Sequence, residues 1–157
     1  MPYITLEPVT VDNWKACIAL SVHESQRDFV PTNLYSIAEA QFYPEARPLA
    51  IYNESGTLVG FALYGRDVIT QKWKVFRLMI DAAHQGRGYG CEAMRQIIAE
   101  IARRPGGDEI LICYHDANEA ARRLYARLGF VEQDVDDSGK VTALLRVSRY
   151  ENDDNNR

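Results

Sequence analysis

The segment Arg77-Leu78-Met79-Ile80-Asp81-Ala82-Ala83-His84-Gln85-Gly86-Arg87-Gly88-Tyr89-Gly90 joins the end of an apolar, strand-like run to the start of an amphipathic helix. Three glycines, Gly86, Gly88 and Gly90, sit in the turn between them. A helix start leaves backbone N–H groups unpaired, and glycines let a ligand come close to that backbone. A strand, a glycine-rich turn and a helix in this order therefore offer a site for a pyrophosphate. Arg87 adds a positive charge. The segment is neither Gly-x-x-x-x-Gly-Lys-Ser/Thr nor Gly-x-Gly-x-x-Gly, so the usual nucleoside triphosphate and dinucleotide cradles are missing. On residue type alone the alternative is a tight turn that simply needs glycine. Other reactive side chains are scattered. Cys17, Cys91 and Cys113 are odd in number, show no zinc spacing and have no His/Asp partner in a recognisable arrangement, so they read as reduced core residues. His84 and His115 flank the candidate cleft and are candidates for proton relay, although a lone histidine is more often a surface or loop residue. No metal site is expected.

Two motifs carry a resemblance. The spacing Gln85-x-x-Gly88-x-Gly90, after a strand ending Leu78-Met79-Ile80, resembles the acetyl-coenzyme A signature of the GNAT (Gcn5-related) N-acetyltransferases. Asn118-Glu119-Ala120-Ala121-Arg122-Arg123-Leu124-Tyr125-Ala126-Arg127-Leu128-Gly129-Phe130 resembles that family's Asn-x-x-Ala-x-x-Leu-Tyr-x-x-x-Gly-Phe segment, position for position. Together with the flanking hairpins the resemblance covers residues 49–147. Residues 29–40 and Gly60-Phe61-Ala62-Leu63-Tyr64-Gly65 look like the bacterial spermine/spermidine, or diamine, branch of the family.

The resemblance implies an α/β GNAT fold: a mixed, mostly antiparallel central sheet, helices on both faces, and a splayed parallel strand pair at the cofactor cleft. It also implies acetyl-CoA as co-substrate. The pantetheine arm would pair with the backbone of Leu78, Met79 and Ile80, and the diphosphate would sit on the amides of Gln85, Gly86, Arg87, Gly88, Tyr89 and Gly90. Asn118 and Ala121 would hold the pantetheine arm, and Tyr125 would be the general acid for the departing thiolate. A phenol with a pKa of about 10 stays protonated at pH 7 and suits a thiolate of about 8.5. The implied reaction is acetyl transfer to a primary amine, such as spermidine or spermine, by direct attack on the thioester. An amine of pKa about 10.4 is free base in only about one molecule in two or three thousand at pH 7, so the site must help remove its proton. Glu24, Glu39 and Asp81 are the candidates to attract the cation or accept that proton, with solvated surface roles as the alternative. One departure stands out: Val75-Phe76-Arg77 has no acid where several polyamine acetyltransferases carry one on the fourth strand. Acetylation of another amine (aminoglycoside-like, or a protein N-terminus) and a non-catalytic CoA-binding module remain the alternatives.

The surrounding pattern supplies elements to position these groups. Ile4 and Leu6 alternate in a short first strand. Trp14, Cys17 and Ile18 recur at helical spacing, with Thr10 or Asp12 as cap. A helical lid is expected from a Ser36 cap, with Glu39 at the capping-box position. Residues 49–52 and 58–64 flank Asn53-Glu54-Ser55-Gly56 as a hairpin, with Val59, Phe61 and Leu63 on one face, and residues 73–80 complete a meander. Met94, Ile97, Ile98 and Ile101 form a helical stripe, followed by a buried strand at residues 110–114, so the strands on either side of that helix run parallel. Asn118 caps the next helix, Gly129-Phe130 ends it, and a hairpin around Asp136-Asp137-Ser138-Gly139 closes the chain.

At 157 residues this is one domain, expected over residues 1–150, with a disordered polar tail at 151–157. Apolar residues make up 46% and charged residues 25%, the usage of a folded globular protein. The net charge is −4, half of it from Glu151, Asp153 and Asp154 against Arg157, so no basic surface for nucleic acid is expected. With neither a basic-then-apolar leader nor a membrane-length apolar run, the cytoplasm is the expected location. The expected partners are a small-molecule amine and a second copy of the chain in a homodimer.

Overall fold

Strand β3 (Leu58–Arg66) is buried along all but its two end residues, so it needs cover on both faces. The computed structural model, which describes residues 2–147, supplies that cover from two pairs of helices. In chain order the elements are β1 (Ile4–Pro8), α1 (Trp14–Ala19), α2 (Asn33–Glu39), β2 (Arg47–Asn53), β3, β4 (Trp73–Ile80), α3 (Tyr89–Ala102), β5 (Glu109–His115), α4 (Glu119–Arg127), β6 (Val131–Val135) and β7 (Lys140–Arg146). Among the described residues the strands form one sheet in the order β1-β2-β3-β4-β5-β7-β6, antiparallel throughout except for the parallel pair β4 and β5. The expected tail at 151–157, and the end of the expected domain at 150, lie outside the described residues.

One face of the sheet presents Leu49, Ile51, Ala62 and Tyr64 to the α3 stripe of Met94, Ile97, Ile98 and Ile101. The other presents Ala50, Phe61, Leu63 and Met79 to Cys17 of α1 and Ile37 of α2. Each fully buried aliphatic side chain in the stripe contributes about 1.5–3 kcal/mol, which is what holds the glycine-rich start of α3 against the sheet. The stop of α4 is a Schellman cap. Gly129, at φ +100°, donates to the Ala126 carbonyl at 3.1 Å, and Phe130 donates to that of Tyr125 at 3.0 Å.

Three local expectations are corrected. Val59 does not share a face with Phe61 and Leu63: the β2–β3 register steps from Ile51↔Gly60 to Tyr52↔Leu58, leaving Val59 as an extra residue. That bulge reverses the alternation, and Val59 packs on the α3 side instead. The lid helix starts one turn earlier than its Ser36 cap would place it. Thr32 is the N-cap, its hydroxyl accepting from the Tyr35 N–H at 3.2 Å, while the buried Ser36 hydroxyl donates to the Thr32 carbonyl at 3.1 Å. At α1 the cap position falls on Asn13, whose side-chain oxygen accepts from the N–H of Thr10 at 2.8 Å.

A second bulge shapes the cleft. The β3–β4 register steps from Leu63↔Arg77 to Tyr64↔Val75, so Phe76 is the extra residue on β4. β4 pairs with β5 only through Trp73, Lys74 and Val75. Past Val75 the two parallel strands part, while β4 keeps its ladder to β3 as far as Ile80. A bulge bends its strand, which is the physical cause of the divergence at this point.

Candidate active site

Where β4 and β5 separate, a cleft of about 910 Å³ opens, a volume within the range of small-molecule sites. Its walls are the free edge of β4, the glycine-rich turn, the end of β5 and the first turns of α3 and α4. Leu78, Met79, Ile80, Gln85, Gly86, Gly88, Tyr89, Gly90, Asn118, Ala121 and Tyr125 all line it, so the structure brings nearly all the expected coenzyme residues together. Arg87 is exposed in the same turn but is not part of the wall.

The turn is built to present backbone. Gly86 and Gly88 adopt φ +78° and +82°, the left-handed region that glycine enters without strain, and no atom lies within 4 Å of where a Gly86 side chain would begin. Gln85 fixes the turn from inside: its Nε2 donates to the Ile80 carbonyl at 2.9 Å and to Gln26 Oε1 at 2.9 Å. Asp81 helps in the same way, its two oxygens accepting from the N–H groups of Ser21 at 3.0 Å and Ala83 at 3.2 Å. These contacts tie the turn to the N-terminal segment and leave the glycine amides open. Together with the unpaired β4 edge, they fit a pyrophosphate and an extended amide-bearing arm.

On the opposite wall, Asn118 Oδ1 caps α4 by accepting from the Ala121 N–H at 3.2 Å. Among the described residues nothing takes the Nδ2 protons, so one amide group both starts the helix and offers donors to the cleft. Tyr125 sits one helical turn beyond Ala121, 7% exposed, its ring 5.5 Å from Tyr114 and 5.8 Å from Phe130. Burial, and then the neighbouring Tyr114 phenol, hold its pKa above the ordinary tyrosine value. The Tyr125 hydroxyl is therefore a neutral donor at physiological pH, and the same desolvation raises any thiolate placed beside it. Tyr114 is itself pushed up to about 12 by burial and by its hydrogen bond to Glu132, 2.8 Å away. Burial takes Cys17 to about 11, so that thiol is inert at neutral pH. His115 accepts the Ala117 N–H on Nδ1 at 3.0 Å, which places the proton of the neutral ring on Nε2.

The acidic candidates divide. Glu39 lines the cleft from the end of α2, but its carboxylate is held by Arg77, with Nη2 3.2 and 3.3 Å from the two oxygens. Glu24 is exposed, pairs with Arg27 at 3.3 Å and does not line the cleft. Asp81 is outside the lining too, occupied by the backbone bonds above. The sequence reading missed Asp28, which lines the cleft near its rim with no ion-pair partner among the described residues. It also missed the Tyr43 and Phe76 rings, stacked at 4.5 Å and 3° apart beside Glu39. A loop carboxylate and a bulged aromatic leave no periodic signal.

The chain matches the Acetyltransferase (GNAT) family over residues 11–130. It is 31% identical over 133 residues to the spermine/spermidine N(1)-acetyltransferase of Bacillus subtilis (strain 168), a match covering 81% of this chain and 87% of that protein. Spermidine N-acetyltransferase from Vibrio cholerae, solved in complex with CoA and spermine, superposes with a TM-score of 0.73 at 15% identity over 94% of this chain and 98% of that one. An acetyltransferase from Thermus thermophilus gives 0.73 at 18% identity, with coverages of 91% and 96%. At those identities the superpositions establish the fold. The chain belongs to the GNAT family of acetyltransferases. It is an acetyl-CoA-dependent N-acetyltransferase, and acetyl-CoA supplies the acyl group as a thioester.

Proposed function

We propose that the acceptor is a primary amine of a polyamine such as spermidine or spermine, acetylated by direct attack of the free amine on the thioester. The observation that carries the mechanism is the parting of β4 and β5 after Val75, with Tyr125 and Asn118 on one wall and the open β4 edge on the other. In this reading the backbone of Leu78, Met79 and Ile80 pairs with the pantetheine arm. The amides of residues 85–90 hold the diphosphate, with Arg87 adding long-range attraction. Asn118 Nδ2 and the α4 start at Ala121 steady the arm, and Tyr125 donates its proton to the departing thiol. The polyamine class rests on the Bacillus subtilis relative and on the carboxylates of Asp28 and Glu39 lining the other half of the cleft. A cation gathered there is concentrated before it loses its proton, an attraction that salt screens with a Debye length of about 8 Å at physiological ionic strength. No helix among the described residues is long and apolar enough to cross a membrane. We take the cytoplasm and a homodimer as the setting; the Vibrio cholerae enzyme has been solved as a dodecamer.

One observation favours a second reading, a less highly charged amine: Glu39 is paired with Arg77, and Asp67, also in the lining, lies 3.9 Å from Lys74. Thiol release from acetyl-CoA across spermine, spermidine, putrescine, an aminoglycoside and a peptide decides between them. The polyamine reading expects the highest kcat/KM for spermine or spermidine. A higher value for the peptide would favour the less highly charged amine, and a higher value for the aminoglycoside, itself a polycation, would replace the polyamine class with another.

A further inference from the structure

The bulge at Phe76 places two consecutive side chains, Phe76 and Arg77, on the α2 side of β4. Phe76 stacks on Tyr43, and Arg77 reaches Glu39 across the acceptor half of the cleft. The resulting ion pair is largely buried, with side chains 18% and 13% exposed, yet it is poorly made. Arginine pairs best with a carboxylate side-on, through two nitrogens at about 2.7–2.9 Å. Here a single nitrogen, Nη2, serves both oxygens at 3.2 and 3.3 Å, and Nη1 is spent on the Phe76 carbonyl at 2.6 Å. Nε is buried with no partner among the described residues. A desolvated donor without an acceptor is a standing cost, which lowers what the pair loses on exchange, and the displaced guanidinium keeps its bond to the Phe76 carbonyl.

We propose that Arg77 is a specificity-determining residue that competes with the acceptor for Glu39: a polyamine's distal ammonium displaces the guanidinium from the carboxylate, whereas a monoamine has no group to do so. The inference rests on the polyamine reading above and says how that charge is recognised. An ammonium offers three donors to a carboxylate that the resting structure serves with one guanidinium nitrogen and the neighbouring Tyr43 hydroxyl, so the exchange improves on the guanidinium's share of that bonding. Asp28, at the rim and unpaired among the described residues, is free to attract a cation before the exchange. Arg77 thereby sets a threshold: amines carrying a second charge gain Glu39, and singly charged amines meet a neutral pair.

The test measures KM for spermidine and for butylamine by thiol release, in the wild type, Arg77→Gln, and Glu39→Gln combined with Arg77→Gln. Removing the competitor is expected to raise the ratio of butylamine KM to spermidine KM at least about fivefold, the order of a modest ion pair. The double variant, which lacks the released carboxylate, is expected to lose that gain. An unchanged or lowered ratio in Arg77→Gln, or a gain that persists in the double variant, overturns the proposal. Should Arg77→Gln not fold with Glu39 left buried and unpaired, Glu39→Gln alone gives the answer. It leaves Arg77 facing the acceptor, so spermidine KM should rise more than butylamine KM, and equal changes overturn the proposal. A wild type that acetylates neither spermine nor spermidine marks failure of the polyamine reading, and this inference falls with it. A wild type active on spermidine with an unmoved ratio marks failure of this inference alone.

Discussion

Replacing Tyr125 by Phe is expected to lower kcat by the ~10²–10⁴-fold typical of a lost general acid, with CoA affinity close to that of the wild type. The ring stays, keeping its contacts with Tyr114 and Phe130, and only a hydroxyl leaves. That hydroxyl has no hydrogen-bond partner among the described residues, so its removal orphans nothing and the melting temperature should hold or rise slightly. The phenol is held above its ordinary pKa by burial, which fixes the sign of the pH dependence. It remains protonated up to and beyond pH 10, so no alkaline fall in wild-type kcat below about pH 10 comes from this group. Steady-state kinetics alongside calorimetric titration of CoA checks both parts. Full activity in Tyr125→Phe would assign the proton to water or to His115.

Gly88→Val is expected to weaken CoA binding by roughly 10- to 150-fold, the equivalent of losing one charge-assisted hydrogen bond of 1.5–3 kcal/mol. Two effects act together. At φ +82° a β-branched residue is strained, and its Cβ would lie 3.2 Å from the Pro2 ring, so the turn or that ring must give by a few tenths of an ångström. In the proposed reading the turn is also where the diphosphate meets the backbone amides. Gly56→Val separates the two: Gly56, at φ +74° in the β2–β3 hairpin, has open space around its Cβ position and no place in the cleft lining. It should show the strain as a lowered melting temperature while CoA affinity holds. Equal CoA affinity in the two variants would remove the phosphate-cradle role of Gly88.

Much of this site was legible because its parts lie close in sequence. Gly86 and Gly88 take left-handed angles whatever the chain does elsewhere, and Asn118 and Gly129 mark the two ends of one short helix by rules local to it. The α3 stripe shows its period within four residues. What stayed hidden depends on pairing between segments. The bulges at Val59 and Phe76 exist only in the register of one strand against another, so alternation read along β3 placed Val59 on the wrong face. The Arg77–Glu39 pair joins residues 38 apart, and nothing near either one announces the other. Glu24 and Asp81 were plausible as carboxylates near the right elements. Glu24 is taken by Arg27 three residues on and points to solvent, and Asp81 is drawn onto the Ser21 N–H only by how the turn after β4 docks on the N-terminal segment.

Amide hydrogen exchange with and without CoA tests most directly whether coenzyme A lies along the unpaired edge of β4 and over the glycine turn. In the free protein the amides of residues 76–80 that face away from β3 have no strand partner, and those of residues 85–90 lie at an open helix start. At saturating CoA both groups should exchange about tenfold or more slowly, as binding closes them to solvent, with the β6–β7 turn at residues 136–139 unaffected. CoA that binds by titration yet protects neither residues 76–80 nor 85–90 would contradict this placement of the coenzyme.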